Sequence, residues 1–172
     1  MRSILFISAA HLLIAILMTG CSGEKDKKST RESSDYIEQP LQGKIGGKDW
    51  KFAAGRADSN DFDSTLSFTL ISGAPKSICE DFMLEAEDKL SVRFGADEEE
   101  LKVERYPLGM DSGKTVTLVE MSEEENSNLI VLDGYYEFTE VAVNKVEGKM
   151  VANDGTDNSV TGSFEVVRCC KD

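Results

Sequence analysis

Histidine is nearly absent from this sequence of 172 residues, because His11 is the only one and it lies in the apolar N-terminal stretch. Once that stretch is removed, no imidazole remains for a catalytic triad or a zinc site. Basic residues are scarce beside acidic ones, 19 against 32, and the formal net charge is −13. This balance argues against a nucleic-acid partner, whose phosphates need Lys and Arg. With only three prolines and 40% hydrophobic residues, the sequence predicts one folded domain rather than a disordered chain.

The first twenty residues have the composition of a secretory signal peptide. Arg2 is the only charge before Glu24, and an apolar run follows it as far as Gly20. The run is also about long enough for a marginal transmembrane span, since roughly 20 apolar residues cross a bilayer. Because it contains His11 and several small residues, the sequence predicts a cleaved signal peptide over residues 1–20, with an uncleaved anchor as the alternative.

The leader ends in Met18-Thr19-Gly20-Cys21, which resembles the lipobox of bacterial lipoproteins. Met18 stands where that family usually has leucine. The resemblance implies cleavage after Gly20, lipidation of Cys21 and stable anchoring in a membrane through more than one acyl chain. Ser22 replaces the aspartate that signals retention at the inner membrane, so the resemblance implies an outer-membrane address, facing the periplasm or the cell surface.

Residues 22–39 differ from the rest of the chain in being polar and mixed in charge, with four basic and five acidic side chains. A segment with so few apolar residues cannot pack, so residues 21–39 are expected to be a lipidated cysteine followed by a flexible tether. The acidic excess lies in residues 40–172, which hold 14 basic and 27 acidic residues. An anionic domain is repelled by anionic lipid surfaces, as suits a module held out in solvent.

The dominant pattern of residues 40–172 is alternation of apolar and polar side chains. Leu66, Phe68 and Leu70 alternate with Ser67 and Thr69, and later segments repeat this pattern between turns rich in Gly, Asn and Asp. About eight to ten such segments predict an all-β domain, either an antiparallel β-sandwich or a small β-barrel. Only residues 76–89 depart from this pattern, and they predict a loop or one helical stretch across a barrel end.

The first and last predicted strands carry a further pattern. Residues 43–50 read GKIGGKDW and residues 160–169 read VTGSFEVVRC. Together they resemble the small β-rich domains of uncharacterised cell-envelope lipoproteins, which open on G-x-I-x-G-x-x-W and close on V-x-G-x-F-x-x-x-x-C. Because the shared positions are turn glycines and core residues, the resemblance implies a fold and a compartment but no established activity.

Three cysteines remain besides Cys21: Cys79, Cys169 and Cys170. Disulfides persist in an exported protein, and neighbouring strand residues point to opposite faces, so only one of the last two can meet Cys79. The family-like ending implies a Cys79–Cys169 disulfide. Cys170 is then a free thiol or makes an intermolecular bridge, and a vicinal redox or soft-metal pair is the alternative.

Two acidic stretches, residues 58–63 and 153–158, contain the oxygen ligands that calcium prefers. Neither stretch fits the EF-hand spacing, so both are expected to be turns, where Asp and Asn are common. The chain also has no nucleophile elbow and no phosphate-binding loop. The sequence therefore predicts neither an enzyme nor a bound metal or cofactor.

Tyr135 and Tyr136 are the candidate surface-binding residues. They must face opposite sides of a regular strand, so one of them is expected to point outward, where a tyrosine suits a protein partner. The sequence thus predicts a membrane-anchored, non-catalytic interaction or structural module of the cell envelope with a protein partner there. A lipocalin-like carrier or sensor of a small apolar ligand and a calcium-dependent adhesion module are the alternatives.

Overall fold

The computed structural model describes residues 36–60, 64–80, 88–122 and 126–169. Regular structure in these ranges consists of eleven β-strands and one 3-10 turn, Glu98–Glu100. The strands are β1 (Gln42–Ile45), β2 (Lys48–Lys51), β3 (Ala54–Asn60), β4 (Thr65–Ile71), β5 (Leu90–Asp97), β6 (Arg105–Pro107), β7 (Val116–Met121), β8 (Asn126–Val131), β9 (Gly134–Val141), β10 (Lys145–Asn153) and β11 (Ser159–Cys169). The predicted signal peptide, Cys21, residues 22–35 of the tether, residues 81–87 and Cys170 lie outside the described residues.

Alternation of side chains explains why these segments form strands. In β4, Leu66, Phe68 and Leu70 are buried, whereas Ser67 between them is exposed. The predicted all-β class is therefore confirmed. The described residues contain eleven strands rather than eight to ten because β1, β2 and β6, with three or four residues each, are too short to show a full alternation.

The strands form one curled sheet that resembles half a barrel. The main strand order is β6-β9-β10-β11-β3-β4-β5-β7-β8, and β1 joins β11 to β2. Every named pair is antiparallel except β11 with β3, which run parallel where Val167 pairs with Arg56. The sequence predicts antiparallel pairing only. The exception arises because β3 and β11 are far apart in the chain, so no tight hairpin fixes their relative direction.

Aromatic rings fill the interior of the curled sheet. The rings of Phe68 and Phe94 stack with their centroids 4.5 Å apart, and Tyr136 lies 4.9 Å from Phe94. Phe138 packs 5.3 Å from Phe68. Since Phe94 is on β5 and Tyr136 on β9, strands that are distant in the sheet order meet across the interior. Phe, Leu and Val side chains therefore interdigitate in one core.

A disulfide joins Cys79, which follows β4, to Cys169 at the end of β11, with 5.5 Å between the Cα atoms. This is the pairing that the resemblance implies. Arg56 is buried beside the same junction, where its Nε donates to Asp58 at 2.6 Å and its guanidinium also donates to the carbonyl of Ile78 at 3.0 Å. The loop that carries Cys79 is thus held to β3 by the hydrogen bond between Arg56 and Ile78, and to β11 by the disulfide.

Candidate functional site

A shallow groove of about 470 Å³ lies on the surface where β1, β2 and β11 meet. Its walls are formed by polar and charged side chains together with one aromatic residue, namely Gln39, Gln42, Lys44, Asp49, Trp50, Lys51 and Thr161, with Gly43. We call this surface the hairpin groove, because the β1–β2 hairpin supplies most of it.

The β1–β2 hairpin forms because two glycines occupy its turn. Gly46 and Gly47 have φ angles of +60° and +73°, the conformation that a tight two-residue hairpin requires and that other residues rarely adopt. Gly43 has a different role, since a Cβ atom there would lie 1.8 Å from the carbonyl oxygen of Ser159 on β11. The hairpin can therefore approach β11 closely only with glycine at position 43.

Register places four side chains of the hairpin on one face. Gln42 pairs with Lys51 and Lys44 pairs with Asp49 across the two strands, and Gln42 also pairs with Thr161 of β11. Residues that pair directly lie on the same face of a sheet. Lys44 and Lys51 are exposed and form no ion pair within the described residues. This face therefore carries two lysines, Lys44 and Lys51, together with one carboxylate, Asp49.

Trp50 is the only tryptophan of the chain and lies between the groove and the core. Trp50 is 3% exposed, and its indole nitrogen has no hydrogen-bond partner among the described residues. A buried donor left unpaired costs about 1–3 kcal/mol. Because Trp50 lies on β2 and packs into the core, its fluorescence can report on movement of the hairpin.

The segment before β1 is docked on the sheet, although the sequence assigns residues 36–39 to the flexible tether. The backbone of Ser163 donates to the carbonyl of Gln39 at 2.8 Å, and the amide of Ile37 donates to Thr161 Oγ1 at 3.3 Å. The ammonium group of Lys149 lies 5.1 Å from the ring centre of Tyr36. The docked segment forms one border of the groove, since Gln39 accepts a hydrogen bond from Gln42 at 2.7 Å.

The prediction that the outward-facing tyrosine of positions 135 and 136 is exposed is wrong. The two rings do face opposite sides, but Tyr136 is fully buried in the aromatic core and Tyr135 is only 6% exposed. Tyr135 is covered because the guanidinium of Arg105 lies 4.1 Å above its ring. Burial raises the pKa of Tyr135, and the positive charge of Arg105 opposes that rise. A cation on the neighbouring strand thus occupies the face that a partner would need.

The acidic stretch at residues 153–158 folds as a turn held by its own side chains. Asp154 accepts hydrogen bonds from the backbone and hydroxyl of Thr156, at 2.8 and 2.7 Å, and from the amide of Asn158 at 3.0 Å. Burial acts to raise the pKa of Asp154, but these hydrogen bonds outweigh it and the pKa is lowered. The other stretch is described only up to Asn60.

The described ranges contain neither a metal-binding cluster nor a membrane-spanning helix. No cluster of three or more carboxylate, cysteine or histidine side chains there has an arrangement that could hold a metal ion. No helix in those ranges is long and apolar enough to cross a membrane.

Sequence reasoning did not find the hairpin groove, although it noted the glycines and the tryptophan of this region. The missing information is the pairing of β1 with β11, which brings Thr161 beside Gln42 from 119 positions along the chain. The one available signal was the unusual concentration of three lysines in residues 44–51 of an acidic domain. No known protein family, curated protein or solved structure matches this chain.

Proposed function

We propose that this chain is a membrane-anchored lipoprotein of the cell envelope and that its β-domain is a non-catalytic interaction module. The lipobox-like sequence ending at Cys21 supports the anchor. The observation that carries the interaction role is the hairpin groove, where two exposed lysines that form no ion pair with any described residue flank a polar depression on a domain with an acidic excess.

The groove suits recognition of an acidic partner surface. Lys44 and Lys51 supply cations that form no ion pair with the part of the chain that the structure describes, and Gln42 and Thr161 supply hydrogen-bonding groups beside them. Charges at the rim of an interface act mainly on the rate and specificity of association rather than on its affinity. The partner is therefore an envelope protein whose contact surface carries carboxylates.

The filled interior favours this role over that of a carrier for a small apolar ligand. A carrier needs an enclosed apolar cavity, and pockets for small ligands usually measure about 300–1,000 Å³. In the described part of the sheet, stacked rings such as Phe68 and Phe94 occupy that space. Binding is accordingly assigned to the outer surface.

The anchor is tested by the intact mass of the protein from its native host, with Cys21→Ala as the variant. A wild-type mass that corresponds to cleavage before position 21 plus attached lipid supports a lipoprotein, provided that the variant shows neither the cleavage nor the lipid. An unlipidated mass would argue for a secreted domain or an uncleaved anchor.

The interaction role is tested by photo-crosslinking in the native host. A photoreactive residue at position 51 in the hairpin groove is compared with one at position 143, which is exposed in the turn between β9 and β10. The proposal is supported if position 51, but not position 143, forms a discrete adduct with one envelope protein. The yield of this adduct should fall when Lys44→Glu is added. Identical adducts at both positions, or none at position 51, would contradict it.

A further inference from the structure

Strand β8 forms one edge of the curled sheet. Within the described residues it pairs only with β7, in six consecutive residue pairs from Val116–Val131 to Met121–Asn126 without a bulge. Its other side therefore presents backbone N–H and C=O groups that have no partner strand. Such an edge is a template for pairing with a strand from another chain.

Proteins normally protect an edge of this kind by keeping it short or by placing charges or proline on it. The opposite edge of the sheet, β6, follows this rule because it has three residues and ends in Pro107. Strand β8 has six residues, Asn126–Val131, and contains neither a charged residue nor a proline. The β8 edge is thus regular and uncharged, and no described strand covers its outer side.

A second feature lies at the end of the same strand. A surface depression of about 360 Å³ is bordered by Ile130 and Leu132, which are 61% and 39% exposed, and by the carboxylates of Asp133 and Asp154. Neither carboxylate has an ion-pair partner among the described residues. The depression therefore places apolar surface beside negative charge, which suits an apolar side chain next to a cation, while Asp154 also accepts hydrogen bonds from Thr156 and Asn158.

We propose that the β8 edge binds an extended segment of another protein, which adds to the sheet as a further strand and places an apolar residue and a Lys or Arg in this depression. Main-chain hydrogen bonds supply affinity in this mode of recognition, and side-chain pockets supply specificity. The net charge of −13 attracts such a basic segment and repels a second copy of the chain. This surface shares no residue with the hairpin groove, so the proposal stands apart from the function proposed above.

The test uses the full-length protein in detergent and fluorescent peptides of alternating valine and threonine. Two lysines are placed at the N-terminal end in one peptide and at the C-terminal end in another, because the added strand can run antiparallel or parallel to β8. A third peptide carries glutamates instead of lysines. Saturable binding of one lysine peptide, with no binding of the glutamate peptide, is expected from fluorescence anisotropy.

Ile130→Lys is the variant that tests the location. It places a cation on the edge and beside the two carboxylates, so it should weaken peptide binding about tenfold or more. Val143→Lys is the matched control, because Val143 is a 79% exposed valine on another turn and the change in net charge is identical. Equal affinities of the two variants would overturn the proposal.

Hydrogen exchange on the wild-type protein gives a readout that does not depend on any substitution. Bound peptide should slow exchange of the amides in residues 126–131, most of all those that point away from β7. Unchanged exchange at saturating peptide would overturn the proposal. A sedimentation shift to a dimer that Ile130→Lys abolishes would also overturn it, because the edge would then be covered by a second copy.

Discussion

The hydroxyl of Tyr136 donates a hydrogen bond to the carbonyl of Gly95 at 3.2 Å. Tyr136 is on β9 and Gly95 on β5, which are separated by four other strands in the sheet order. The bond therefore spans the interior and ties the two halves of the curled sheet together, next to the ring contact between Tyr136 and Phe94.

Tyr136→Phe should reduce the free energy of unfolding by about 1 kcal/mol, because it removes the donor of a part-buried hydrogen bond. Urea denaturation followed by circular dichroism measures the change. Tyr135→Phe is the control, since the Tyr135 hydroxyl makes no hydrogen bond to a described residue. Equal losses for the two variants would mean that the bond across the interior contributes nothing specific.

Gly43→Ala should destabilise the protein by about 1–3 kcal/mol, the usual range for overpacking. The added Cβ atom would lie 1.8 Å from Ser159 O, so β1 must move away from β11. Gly95→Ala is the matched strand control, because the nearest atom to its Cβ is the carbonyl oxygen of Leu66 at 3.9 Å. Thermal unfolding and Trp50 emission report stability and the position of the hairpin, and an unchanged melting temperature for Gly43→Ala would contradict the close approach.

Asp154→Asn should destabilise the protein at pH 7 by about 1 kcal/mol, because the carboxylate accepts several hydrogen bonds from its own turn. The pKa of Asp154 is lowered below 3.8 in the folded protein, so its contribution to stability is present above that pH and disappears as the pH falls through the folded-state pKa. The stability gap between wild type and variant should therefore close in strong acid. Urea titrations across the acid range measure this gap, and a gap that is independent of pH would contradict the charged hydrogen-bonding role.

Cys79→Ser should lower stability by about 4–5 kcal/mol in the chain-entropy model, because the Cys79–Cys169 disulfide joins residues 90 positions apart. Denaturation of wild type and variant under oxidising conditions measures this loss of stability. Cys170→Ser is the control and should unfold like the wild type. If Cys170→Ser destabilised the protein as much as Cys79→Ser does, the disulfide would involve Cys170 instead of Cys169.

The fold class follows from the sequence because alternation is a local property, visible in β4 as Leu66, Phe68 and Leu70. The parallel pairing of β11 with β3 depends on contacts between residues more than 100 positions apart, for which no local pattern exists. The environment of Tyr135 also depends on residues distant in the sequence. Its outward direction follows from alternation, but its burial depends on Arg105 from a neighbouring strand.

The docked segment before β1 also decides where a mechanical load enters the domain. Gln39 is bonded to Ser163 on β11, and β11 pairs with β10, β1 and β3. A pull on the N-terminal part of the chain is therefore transmitted first to the strand with the most neighbours, rather than to an edge strand that peels off one hydrogen bond at a time. Tension applied to this segment is thus shared among several strands.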